Sequence, residues 1–275
     1  MRRLCANLFI FLGVWSLALA QQTLAGTTQP SATNSYAQLL QKIAPNIVTV
    51  RIVAKFEVKA EGETQSEESK FTLQGAVVSS DGLIMLSGVL LSSESFKQLV
   101  GIQGDEVNFT ITPQSFKVIF GQETEEYDAS LVAVDSQLAV AFIKVRNLGD
   151  RKLTPVEFKE TIPTIGSELV TISRLPRGYD YAPYFSTGRV ISEVSKPRRA
   201  LLLEGNITEL GLPVYNLSGE AVGVMVSLSH GLDDEETDFG FRSNFGSNDR
   251  ALFLIPTSAL KPIIEQAVQR ATEQK

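Results

Sequence analysis

Short β-branched runs separated by turn signals recur along most of this chain, and that rhythm restricts it to an all-β fold. The first runs are Ile47-Val48-Thr49-Val50-Arg51-Ile52-Val53, Gly75-Ala76-Val77-Val78-Ser79 and Leu83-Ile84-Met85-Leu86, the last two joined by the turn Ser80-Asp81-Gly82. Residues 115–120, 129–134 and 140–145 continue the pattern. A second set occupies 168–172, 188–191, 200–203, 221–227 and 252–255, after a soft break over 147–163. Helical patterning is confined to the two ends. Tyr36-Ala37-Gln38-Leu39-Leu40-Gln41-Lys42-Ile43, capped by Ser35 and stopped by Pro45, reads as a short helix. Residues 261–272 read as a closing helix with Pro262 in its first turn and an apolar face of Ile263, Ile264, Ala267, Val268 and Ala271. Residues 61–70 are acidic and polar, which predicts a mobile hairpin loop or local disorder.

The first twenty residues have the pattern of a secretory signal: Arg2 and Arg3, then the apolar core Leu8-Phe9-Ile10-Phe11-Leu12-Gly13-Val14-Trp15, then the small-residue site Ala18-Leu19-Ala20. The apolar run is shorter than the ~20 residues of a membrane span, so the reading is cleavage after Ala20 rather than anchorage. No later segment is long and apolar enough to span a bilayer. The expected location is secreted or periplasmic. A flexible leader over 21–34, rich in Gln, Thr, Ser and Ala, then precedes one folded unit over 35–275. The only cysteine, Cys5, lies in the signal, so the remaining chain has no disulfide, thiol nucleophile or cysteine metal site. Loss of Arg2 and Arg3 takes the formal charge from −6 to −8. An acidic chain without a basic stripe gains nothing from releasing counterions on a phosphate backbone, which argues against nucleic acid as a partner.

Several stretches between Pro45 and Ile264, among them Asn46-Ile47-Val48-Thr49-Val50, residues 185–192 and four fuller ones, resemble the trypsin-like serine peptidases of the HtrA (Deg) kind. Leu73-Gln74-Gly75-Ala76-Val77-Val78-Ser79-Ser80-Asp81-Gly82-Leu83-Ile84 is similar to the family's Gly-Ser-Gly-Val-Ile strand and Asp-Gly turn. Residues 129–145 resemble the strand pair that carries the family's two aspartates, and Leu252-Phe253-Leu254-Ile255-Pro256 resembles its last strand. The fourth is Leu203-Glu204-Gly205-Asn206-Ile207-Thr208-Glu209-Leu210-Gly211-Leu212-Pro213, which has the outline of the Gly-Asn-Ser-Gly-Gly-Pro nucleophile loop. The resemblance implies two antiparallel six-stranded-type β-barrels, over 35–150 and 160–257, and a closing helix over 258–272. The family usually continues into a PDZ domain. This sequence stops at Lys275, and the expectation is a chain without that peptide-reading module.

At the matching positions the chemistry differs. The family's general-base histidine falls on Val89, its orienting aspartate on Ala139 (or on Gln137 with a one-residue gap), and its nucleophilic serine on Leu210. Asp135 fits the first, non-catalytic aspartate. A serine peptidase needs an activatable oxygen, an imidazole to carry its proton and a carboxylate to orient that imidazole, and these three side chains supply none of them. Thr208 and Leu212 stand where the loop has glycines, and Glu209 where it has asparagine, so an oxyanion-binding geometry is itself in question. The expectation is a cleft refilled as apolar core. Ser87, Ser92 and Ser93 lie near the lost base without a nameable partner. The single histidine, His230, reads as a loop residue, and the acidic run Asp233-Asp234-Glu235-Glu236 lacks the ligand spacing of a calcium loop. No catalytic, cofactor-binding or metal-ligating residue is therefore assigned. The expected function is an exported, non-catalytic binding or scaffolding domain for protein or extended peptide. Residues 188–192 and 200–203 are the suggested strand edge for such a peptide. The alternatives are a hydrolase with a relocated site and a homo-oligomeric assembly module.

Overall fold

The computed structural model describes residues 32–60, 63–100, 108–196, 198–227 and 252–273. The signal segment, most of the leader, His230 and the acidic run after it lie outside the described residues. Among the described residues, twelve strands form two closed antiparallel barrels. The first contains β1 (Ile47–Ala60), β2 (Glu63–Val77), β3 (Leu83–Ser87), β4 (Asn108–Phe120), β5 (Tyr127–Asp135) and β6 (Val140–Val145) in the cyclic order β1-β2-β3-β6-β5-β4. The second contains β7 (Glu168–Arg174), β8 (Pro183–Val194), β9 (Ala200–Gly205), β10 (Pro213–Asn216), β11 (Ala221–Ser227) and β12 (Leu252–Pro256), ordered β10-β11-β12-β9-β8-β7. Closure pairs every strand on both sides over part of its length, which removes most of the open edge that a flat sheet would expose.

Alternation decides which residues fill each barrel. Val48, Val50 and Ile52 of β1 meet Ile84, Leu86, Val118, Phe120 and Ile143 inside the first. Leu169, Val190, Leu201, Val214, Val222 and Leu254 fill the second. The opposite faces of several strands are buried too. Leu83, Met85 and Phe142 turn outward from barrel one onto Val224, Val226 and Ile255 of barrel two and onto the closing helix α3 (Thr257–Glu273). Strands buried on both faces read as continuous apolar runs, and this accounts for the sequences of β3, β6 and β11. A third apolar layer lies where α1 (Ala32–Ile43) docks. Its Leu39 and Ile43 pack with Ile47, Val170, Ile172, Leu212 and Tyr215. Tyr36 of the same helix stacks on Phe185 at 5.1 Å and donates to the Glu168 carboxylate, a bond that pushes the Tyr36 phenol up to about 12.

Four local expectations need correction. The first helix begins at Ala32, so Ser35 lies within its first turn rather than capping it. Residues 63–70 are not a loop: they extend β2 in register with β1, from Ala60↔Glu63 through Val53↔Lys70. Their polar character suits a strand open to solvent on both faces, since backbone pairing does not require an apolar side chain. The helix α2 (Ser93–Val100) went unread; Ser92 Oγ accepts the Ser95 N–H at its start. Finally, α3 begins at Thr257, which moves Pro262 into the second turn and rotates the buried stripe. Leu260, Ala267 and Ala271 are buried, Ile263 and Ile264 partly so, while Val268 faces solvent.

A buried guanidinium joins the barrels at the α1 side. Arg174, at the end of β7, donates from Nε to Ile47 O at 2.6 Å, from Nη2 to Ala44 O at 2.5 Å and from Nη1 to Tyr181 O at 3.0 Å. Burial lowers its pKa from the usual guanidinium value, and the three carbonyls compensate for the lost water. The last of these carbonyls belongs to a turn in which Asp180 and Tyr181 both adopt left-handed backbone, at φ 52° and 53°. Arg174→Met should strand those carbonyls and lower stability by about 3–5 kcal/mol in urea unfolding. A loss under about 1 kcal/mol would show that water replaces the clamp.

Candidate functional site

Three connections meet between the barrels: Ser87-Gly88-Val89 after β3, the turn from Asp135 to Val140 between β5 and β6, and the loop from Gly205 to Leu212 before β10. Backbone contacts fix their meeting. The Gly88 N–H donates to Ala139 O at 2.6 Å. A Cβ on Gly88 would stand 2.9 Å from the Val140 carbonyl carbon, so only glycine fits. Gly211, at φ +79°, presses on the other barrel: a Cβ there would stand 2.6 Å from both Leu86 C and Ser87 Cα. Val89, Ala139 and Leu210 each adjoin one of these contacts, so the fold brings together the segments carrying the three positions singled out in the sequence. Gln137, the other candidate for the second of them, is exposed and accepts a hydrogen bond from Arg198 Nη2 at 3.3 Å.

The three side chains are not equally covered. Val89 is buried, whereas Ala139 and Leu210 are half-buried. The expectation that the cleft is refilled as core therefore holds for Val89 alone. Ala139 takes a left-handed backbone at φ 50°, unusual for a residue with a Cβ. Its turn is secured by Asp135, whose Oδ1 accepts the Leu138 N–H at 2.8 Å. The nearby serines serve the backbone. Ser87 Oγ accepts the Val89 N–H at 3.4 Å, Ser92 Oγ the Ser95 N–H at 3.3 Å, and Ser93 Oγ the Ile111 N–H at 2.9 Å.

The loop is pinned at both ends. Upstream, the Asn206 N–H bonds Thr187 O at 2.9 Å and Ile207 is buried in barrel two. Downstream, the Gly211 N–H bonds Met225 O at 2.8 Å, Thr171 Oγ1 donates to Pro213 O at 2.9 Å, and Leu212 sits under α1. Thr208 and Leu212 were expected to resist unusual backbone angles. Neither takes a positive φ; within the loop that conformation falls on Gly205 and Gly211.

Between the pins the charged group is Glu209. Its Oε1 accepts the Tyr184 hydroxyl at 2.9 Å and the Ser186 hydroxyl at 3.4 Å, and its Oε2 accepts the Thr208 N–H at 3.0 Å. Burial raises the Tyr184 pKa, a hydrogen bond with Ser173 opposes it, and the Glu209 carboxylate adds to the rise. Tyr184 and Ser186 were missed in the sequence. Their alternation on β8 gives them one face, but nothing local says which loop that face meets. Among the described residues no three His, Cys, Asp or Glu side chains gather closely enough to hold a metal ion.

The trypsin-like peptidase domain family model matches residues 74–224, just over half of the chain and all three converging segments. The chain belongs to the trypsin-like peptidase domain family. The match runs from β2 of the first barrel to β11 of the second, so it spans the interface on which such a site is built. No curated protein matches the chain significantly.

The strand edge suggested for peptide addition is paired over part of its length within this trypsin-like fold. Val190 of β8 pairs with Leu203 of β9, its N–H donates to Ser167 O at 3.0 Å, and β9 pairs on its other side with β12. Proline at Val190 would break an internal bond rather than block a ligand. The closest inter-barrel fit yields a sharper test. Gly211→Ala should destabilise the protein by about 2–4 kcal/mol, since the methyl meets backbone in an unfavourable φ. A thermal midpoint equal to wild type would show that the loop can move off Ser87.

Proposed function

We propose that this trypsin-like domain is exported and non-catalytic, and that it works by binding protein or extended peptide at the inter-barrel cleft. The observation that carries the reading is the convergence of Val89, Ala139 and Leu210 at the junction of the three connections. Their positions resemble those of base, orienting acid and nucleophile. None can attack a carbonyl, carry a proton or orient an imidazole. In a serine peptidase, removal of the triad costs about 2 × 10⁶ in turnover, or roughly 8–9 kcal/mol of transition-state stabilisation. The signal-like pattern of residues 1–20 supports export.

The half-buried Leu210 supports binding over a sealed remnant. A leucine left partly open between two barrels offers apolar contact to a side chain laid across it, at no cost in hydrogen bonds. The serines nearby are held to backbone amides, which disfavours a relocated hydrolytic site built on them.

Two outcomes are expected. Purified protein incubated with labelled casein should release no more label than a mock preparation. Turnover that copurifies with the chain through successive columns would overturn the reading. On an array of unstructured peptides, Leu210→Asp should lose most of the signal retained by wild type, because a charge would have to be desolvated at the contact. An unchanged binding pattern in a folded L210D variant would place recognition elsewhere on the molecule.

A further inference from the structure

Loops of this kind stabilise a developing oxyanion with two backbone amides, that of the nucleophile and that of the residue two before it. With Leu210 at the nucleophile position, the second amide is that of Thr208. That amide is not idle: it donates to Glu209 Oε2 at 3.0 Å, at an exposed point of the loop where water or a ligand could otherwise take the bond. A glutamate capping the amide next to it could be incidental if the side chain were loose. Here it is held from behind. Oε1 accepts hydroxyls from Tyr184 and Ser186, which lie 25 and 23 residues away on one face of β8, opposite Ser173 and Thr171 of β7. The carboxylate thus bridges the loop to the wall of the second barrel. Among the described residues no lysine or arginine pairs with it, so its charge is met by these neutral donors.

We propose that Glu209 is a built-in occupant of the anion-binding position of this loop, a positioning residue whose carboxylate takes the amide hydrogen that a substrate carbonyl would need. The inference rests on the reading of residues 208–210 as the former nucleophile loop. It deepens the non-catalytic proposal, since the chain has replaced the ligand of the hole with its own side chain besides lacking a nucleophile. A second anion is excluded by repulsion at hydrogen-bond distance, so a ligand of this cleft is held by contacts that do not use the Thr208 amide.

Amide hydrogen exchange of the purified protein, read residue by residue by nuclear magnetic resonance, tests this. In wild type the Thr208 amide should be protected. Glu209→Ala should speed its exchange by roughly ten- to hundredfold, the factor for losing one charge-assisted hydrogen bond, while amides of β10 and β11 keep their protection. Tyr184→Phe removes one anchor of the carboxylate and should shift Thr208 the same way by a smaller factor. Free exchange of Thr208 in wild type would overturn the proposal, as would unchanged exchange in a folded E209A variant. Should E209A lose the protection of β10 and β11, the Y184F variant decides: no change at Thr208 there rejects the proposal. Casein turnover would sink the non-catalytic reading and leave the exchange result standing, so the two can fail separately.

Discussion

The two barrels touch backbone to backbone at Gly211 and Ser87, a contact too close for any Cβ on the loop side. Such an approach fixes the spacing of the barrels to within a few tenths of an ångström, because main-chain atoms cannot change rotamer to make room. The Gly88 bond to Ala139 adds a second fixed point in the first barrel. Arg174 supplies a third at the α1 side, where it reaches the carbonyls of Ala44 and Ile47. With these in place, the segments carrying Val89, Ala139 and Leu210 have no freedom to separate, whatever side chains they bear.

That rigidity sets the backbone of the candidate site independently of the side chains it carries. The β5–β6 turn holds Ala139 in a left-handed conformation, which costs about 1–2 kcal/mol for a residue with a Cβ. The Asp135 cap and the Gly88 hydrogen bond over-determine the turn and so sustain the strain. The nucleophile-like loop is likewise set by its anchors, Ile207 in one core and Leu212 in another, and not by the residue at 210. Val89, Ala139 and Leu210 thus ride on backbone that is fixed elsewhere.

The polar feature that remains is internally consistent. Glu209 meets three donors: the Tyr184 and Ser186 hydroxyls and the Thr208 amide. A carboxylate facing solvent alone would have been free to pair with a cation. Tied to Tyr184 and Ser186, it becomes part of the wall of the second barrel.

By itself the sequence determined a great deal. Alternating and continuous apolar runs located most of the strands, because a pleated strand records in every second residue whether one face or both are buried. The loop from Gly205 to Pro213 put Leu210 where the resemblance implies a nucleophile, since residue identity needs no coordinates. Polar composition misled at residues 63–70, where pairing with β1, rather than side-chain character, makes a strand. The start of α3 was displaced because the anchoring of Thr257 against the carbonyl of Ala221 is a tertiary hydrogen bond. Only the folded chain could bring Tyr184 and Ser186 to Glu209, or close β8 and β9 into a barrel and so pair part of the edge they offered in isolation. Those outcomes depend on which distant backbone groups find each other, and barrel closure settles that at separations no local pattern spans.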